Sequence, residues 1–199
     1  MGFLDVLLGR SKPKRPDLDR LFDVPNAALT LEVNGWAITG SGSVCYRAAE
    51  GAAFAQTQAD VSQLLNFGDA ESAGKGPQVE HTKDSFGFTW LTVRQDPSVP
   101  NAASDLVTDL HAVNSALQDN GFGPMLLCSL VTFTGPENAR LALIYLYKQG
   151  TFYPFVPMRG GGQRRDNVTE LNVRGLIEKD LPIEQDLSRW LAVWGAPGL

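Results

Sequence analysis

Hydrophobic positions along this chain change period several times, and each change predicts an element. Leu106, Leu110, Val113 and Leu117 recur at helical spacing. Ser104 is placed to cap that helix, and Asn120-Gly121 with Pro124 beyond predicts its end. Phe54, Gln58, Val61, Leu64 and Leu65 predict an amphipathic helix over 52–67, closed by Gly68. A short helix is expected over 17–23, with Pro25 opening a second turn. Asn167 and Glu170 have capping-box spacing for a helix running to about Lys179. A last helical stripe consists of Ile183, Leu187, Trp190, Leu191 and Trp194, stopped by Gly195 and Pro197.

Between these helices the period falls to two. Residues 36–39 and 44–47 read as a hairpin around Gly40-Ser41-Gly42-Ser43. Phe86, Phe88, Trp90 and Thr92 alternate within a strand predicted over 86–94. Segments 125–133 and 141–148 are apolar on both alternating sets, the pattern of central strands covered on both faces. A tight turn at Lys148-Gln149-Gly150-Thr151 leads into 152–157, where Pro154 and Pro157 each remove a ladder donor and predict an edge strand. Residues 68–76 and 159–163 read as loops. The class expected is α+β, an antiparallel sheet of about five to six strands with helices packed on it. Residues 1–16 read as an amphipathic, basic N-terminal segment, and 17–199 as a single α+β globular domain.

Composition narrows the class without naming a function. With 43% hydrophobic and 20% charged residues, the chain falls among globular proteins rather than disordered or collagen-like ones. The longest clear apolar run, 141–147, is far short of the ~20 residues of a membrane-spanning helix. The N-terminus lacks the order of a secretory signal, because its basic cluster follows the apolar segment and Asp5 interrupts it. Val6 stands where a myristoylation signal following Gly2 needs Ser or Thr. A cytoplasmic location is expected, and in that reducing compartment Cys45 and Cys128 are free, buried thiols.

The formal charge of −5 gives nucleic-acid binding no support. That figure hides a division. Residues 1–16 carry four basic groups and one acid, net +3, and the remainder carries thirteen and twenty-one, net −8.

Two cysteines and two histidines are too few for a zinc finger. His81, beside Glu80 and Asp84, lacks convergent ligands, so neither a metal nor another cofactor is expected. His111 and Ser115 are one helical turn apart, but the chain has no Gly-x-Ser-x-Gly elbow and no catalytic residue is assigned. Gly160, Gly161 and Gly162 with Arg159, Arg164 and Arg165 form a weak anion-binding candidate that lacks the phosphate-loop spacing.

Tyr145, Tyr147, Phe152, Tyr153 and Phe155, with Lys148 and Arg159, are a candidate protein-binding edge, since some rings of an edge strand are expected at the surface. In the N-terminal segment, Phe3, Leu4, Leu7 and Leu8 share one helical face and precede Arg10, Lys12, Lys14 and Arg15. Such a segment suits an anionic membrane surface or a partner helix.

Longer strings carry a resemblance. The opening Met1-Gly2-Phe3-Leu4-Asp5-Val6-Leu7-Leu8-Gly9-Arg10 resembles that of the PspA-associated protein family PspAB. So do Asp105 through Ser115, Gly121-Phe122-Gly123-Pro124, Leu126 through Val131, Tyr145 through Phe155, and the ending Trp194-Gly195-Ala196-Pro197-Gly198-Leu199. The resemblance implies a cytoplasmic accessory of a phage-shock-type envelope-stress response, peripheral at the inner face of the membrane. Its implied associates are a PspA-like coiled-coil protein or an HtpX-type membrane protease, and it carries no catalytic residue over to this chain.

The leading expectation is therefore a non-enzymatic adaptor. The alternatives are a small-molecule or anion-binding α+β domain, with or without enzymatic activity, and an escort chaperone. A deep pocket lined by Arg159, Arg164 or His111 would favour the ligand reading; exposed Phe152 or Phe155 on a pocketless body would favour the adaptor.

Overall fold

A computed structural model describes residues 17–47, 79–160 and 162–199. The segment 1–16, the helix predicted over 52–67, the loop 68–76 and Gly161 lie outside the described residues. A 3-10 turn, Leu18–Asp23, leads into helix α1, Val24–Val33. Strands β1 (Ala37–Tyr46), β2 (Glu80–Lys83) and β3 (Thr89–Arg94) follow. Helix α2 is Ala102–Leu117. Strands β4 (Leu126–Thr134), β5 (Arg140–Leu146) and β6 (Thr151–Phe155) precede helix α3, Asn167–Ile177. The strands form one antiparallel sheet in the order β2-β3-β1-β4-β5-β6, so the class is α+β as the pattern predicts.

The sheet has two differently covered faces. Gly42, Val44, Ser129, Tyr145 and Tyr147 face the helices, with α2 lying across β1. Contact there is close: a Cβ on Gly42 would stand 2.8 Å from Leu110 Cδ1. Asn114 of α2, buried among apolar residues, finds its partners in Ser129 Oγ at 3.1 Å and in the Tyr147 hydroxyl, which donates to Asn114 Oδ1. Those bonds relieve the desolvation cost of an amide at a helix–sheet interface.

The opposite face carries Trp90, Cys45, Cys128, Leu146, Tyr153 and Phe155, partly covered by the C-terminal chain. Trp190 stacks on Tyr153 with ring centroids 5.8 Å apart, and Trp194 meets Phe155 edge-on at 4.9 Å.

Several local expectations are corrected. The hairpin predicted within 36–47 is one continuous strand, β1. Its glycines serve a bulge and the approach of Leu110 rather than a turn: the register with β4 shifts between Ile38 and Gly42, and Gly40 has φ +73° with Gln95 packed against it. The strand predicted over 86–94 begins at Thr89, because Asp84 accepts hydrogen bonds from the Phe86 and Phe88 amides and folds 84–88 into a turn. Pro25 stands in the first turn of a ten-residue helix rather than a short one. Helix α2 starts at Ala102, ahead of Ser104.

Asp166, and not Asn167, caps α3, accepting from the Thr169 amide. The stripe over 183–194 contains only the 3-10 turn Leu187–Arg189. Backbone bonds explain that difference: Phe152 N donates to Pro182 O and Glu184 N donates to Phe152 O, which holds 182–184 extended along β6.

Candidate functional site

The predicted aromatic edge is buried. Tyr145, Tyr147, Phe152, Tyr153 and Phe155 are each no more than 1% exposed, so the expectation that rings there reach solvent is corrected. Strand β6 does lie at the edge of the sheet, but the 182–184 segment covers it through a parallel bridge between Phe152 and Ile183. The ring hydroxyls are used internally: Tyr145 donates to Asp17 O, and Tyr153 donates to Leu191 O at 2.9 Å. Burial pushes both phenols up and keeps them protonated.

The glycine–arginine loop does not converge either. Arg159 pairs with Glu137, and Arg164 is exposed. Arg165 turns inward, its Nε 3.0 Å from Glu170 Oε1, donating also to Trp190 O and lying over the Phe155 ring at 5.2 Å. Glu170, predicted as half of a capping box, instead accepts from the Val156 amide at 2.9 Å. This cluster clamps the C-terminal chain to β6 and α3. Gly160 and Gly162 adopt φ +92° and +85° in an exposed turn, and Gly161 lies outside the described residues. His111, with Nε2 3.2 Å from Asp19 Oδ1 and its ring against Phe22, is on the helix side of the sheet.

What the fold does assemble is a cavity on the other face. Its floor runs across four strands in register: Trp90 on β3, Cys45 on β1, Cys128 on β4 and Leu146 on β5. One wall is the 84–88 turn with Phe86 and Phe88, and the other is Tyr153 with Leu191, Val193 and Trp194. Among the described residues these walls bound about 700 Å³ of half-open space, a volume within the range of small-molecule sites. Phe86 and Leu191 stand at the rim, 58% and 63% exposed.

The polar groups near the cavity interior already have partners. Asp84 accepts from the amides of Phe86 and Phe88 and from Trp90 Nε1, all at 2.9 Å. The Cys45 thiol, facing the Cys128 thiol and buried, is pushed far above the ordinary thiol range, so it is a protonated apolar group rather than a nucleophile. Of the other polar lining residues, Arg189 donates to Gln149 Oε1 at 3.3 Å next to Lys148, Ser188 donates to Asp186, and Gln163 is exposed. Lys148 is exposed, and its ammonium has no hydrogen-bond or ion-pair partner among the described residues.

Sequence reasoning found Lys148 and Tyr153 but assigned them to an edge. It read the two cysteines as buried packing, which they are, and missed that they pave a cavity. Period-two alternation puts each on an apolar face, but only the pairing of β1 with β4 brings them together.

No group of three or more His, Cys, Asp or Glu able to hold a metal occurs among the described residues, and no helix there is long and apolar enough to cross a membrane. No curated protein and no solved structure matches the chain. Residues 1–198 match the family PspA associated protein B, a match that spans the resemblances from the opening Met-Gly-Phe-Leu to the C-terminal Trp-Gly-Ala-Pro, and the chain belongs to that family.

Proposed function

We propose that this protein is a non-enzymatic accessory of a PspA-type envelope-stress response, one that contacts a PspA-like protein and whose body is a receptor for an apolar ligand. Family membership supports the link to PspA. The cavity over Cys45 and Cys128 carries the receptor reading, because its walls are apolar while the neighbouring interior polar groups are committed to structural hydrogen bonds. A catalytic site needs polar groups free to act on a substrate; a receptor for an apolar ligand needs shape and carbon surface.

Contact with the PspA-like protein, an associated HtpX-type protease or an anionic membrane falls to the N-terminal segment. There Phe3, Leu4, Leu7 and Leu8 precede Arg10, Lys12, Lys14 and Arg15. Its net charge of +3 against −8 for the rest makes it the part of the chain drawn to an anionic surface. The protein then works in the cytoplasm and at the inner face of the membrane.

The test is co-purification of a PspA-like protein from the same genome with the full-length chain and with a chain starting at Asp17. Co-sedimentation of both forms with anionic vesicles runs alongside. The reading expects enrichment by the full-length protein and loss of most of it on truncation. Absence of enrichment by either form would overturn the PspA contact; retention in the supernatant on anionic vesicles would remove the membrane part alone.

A further inference from the structure

The cavity's polarity is distributed unevenly, and that distribution specifies a ligand. Along the floor, Trp90, Cys45, Cys128 and Leu146 present carbon and two buried thiols. Polar atoms close to this floor have their partners: Asp84 receives three donors, and the Tyr153 hydroxyl donates to Leu191 O. A nucleotide, sugar or other ligand with polar atoms along its length would have to strip them of water with nothing to replace it, at a cost of about 1–3 kcal/mol for each group left unbonded.

One end differs. There Lys148 offers a cation without a partner among the described residues, whereas Arg189 is already held by Gln149, by Asp186 at 3.5 Å and by Glu184 at 3.6 Å, which leaves Lys148 as the one uncommitted cation among the described lining residues. The complementary molecule is apolar throughout with one anionic terminus. We infer that the cavity binds a single-chain aliphatic carboxylate, a fatty acid, with its hydrocarbon chain over Cys45 and Cys128 and its carboxylate at Lys148. This rests on the receptor reading of the cavity and is independent of which protein the N-terminal segment contacts.

The geometry also supplies two reporters. Trp90 lies on the floor and Trp194 on a wall, and Cys128 shares the floor, so an occupant alters tryptophan emission and shields Cys128 from alkylation. The experiment titrates monomeric dodecanoate into the full-length protein, reading tryptophan fluorescence and the rate of N-ethylmaleimide reaction at Cys128. Dodecanol, which has the chain without the charge, butyrate, which has the charge without the chain, and anionic phospholipid vesicles are run in parallel. Expected are saturable binding of one dodecanoate per protein and alkylation slowed about tenfold at a ligand concentration ten times Kd.

Dodecanol binds more weakly, and Lys148→Ala lowers the dodecanoate affinity about fivefold, the size of an exposed ion pair, without changing that of dodecanol. Phe86→Asp, at an exposed rim position, abolishes both. Dodecanoate and dodecanol binding equally, with Lys148→Ala silent, would overturn the carboxylate assignment while leaving an apolar receptor. Thiol protection by vesicles but not by monomeric dodecanoate would overturn it in favour of a bilayer surface. If no probe protects Cys128 or binds saturably, the receptor reading fails with it.

Discussion

Cys45 of β1 stands directly opposite Cys128 of β4 on the cavity floor, the two residues 3% and 7% exposed. That pairing has a consequence for pH. Interaction with the Cys128 thiol, reinforced by burial, raises the folded pKa of Cys45, so the folded chain keeps a proton that the unfolded chain releases above about pH 8.5. The contribution is fully present below that pH and is lost as pH rises, by at most ~1.4 kcal/mol per pH unit. Urea unfolding at pH 7.5 and pH 10 is expected to show a smaller alkaline loss for Cys45→Ala than for wild type, by about 1–2 kcal/mol. Equal losses would mean that Cys45 does not hold its proton in the fold.

The approach of α2 to β1 depends on the absence of a side chain at position 42. Gly42→Ala places a Cβ 2.8 Å from Leu110 Cδ1, within a core where Leu110 is fully buried. Overpacking of that kind costs about 1–3 kcal/mol. A lowered urea midpoint with an unchanged m-value is the expected outcome, and pairing the substitution with Leu110→Ala is expected to be less than additive.

Tyr147→Phe removes one hydroxyl from the buried Asn114–Tyr147–Ser129 network. Asn114 Oδ1 then loses its donor in a site closed to solvent, and about 1–3 kcal/mol of stability is expected to go with it. Replacing Asn114 by Leu in the same background restores part of the loss if the unmet carbonyl is its cause. Thermal or urea unfolding of the single and double variants reads this directly.

The C-terminal wall of the cavity is held by a charge. Glu170, 3% exposed, bridges Arg165 and the Val156 amide, and Arg165 in turn donates to Trp190 O. Glu170→Ala leaves the Arg165 guanidinium without its carboxylate in a site only partly open to water, a loss of about 2–4 kcal/mol for a largely buried pair. Faster limited proteolysis in 186–199 than in the rest of the chain is expected, with loss of any saturable ligand at the cavity. Uniform destabilisation without preferential cleavage there would argue that the Trp190 and Trp194 stacking alone holds that wall.

Local pattern was sufficient where one covalent neighbourhood settles the structure. Leu106, Leu110, Val113 and Leu117 share a helical face whatever lies opposite, and a strand apolar on both alternating sets, such as β4 or β5, must be covered on both sides. The α+β class, the central strands, the turn at 148–151 and the edge position of β6 follow from such signals.

Choices that depend on distant partners were not legible. Gly40 and Gly42 carry the same local signal for a turn as for a bulge beneath a helix, and only Leu110, far along the chain, decides between them. Trp190 and Trp194 have helical spacing, but ring contacts with Tyr153 and Phe155 and the backbone bonds of 182–184 to β6 win over it. Nothing in 145–159 announces that residues 182–184 will cover the aromatic edge. The cavity is the extreme case. Its floor takes one side chain from each of four strands that are scattered in sequence, and strand register, a property of the assembled sheet, is what makes them neighbours.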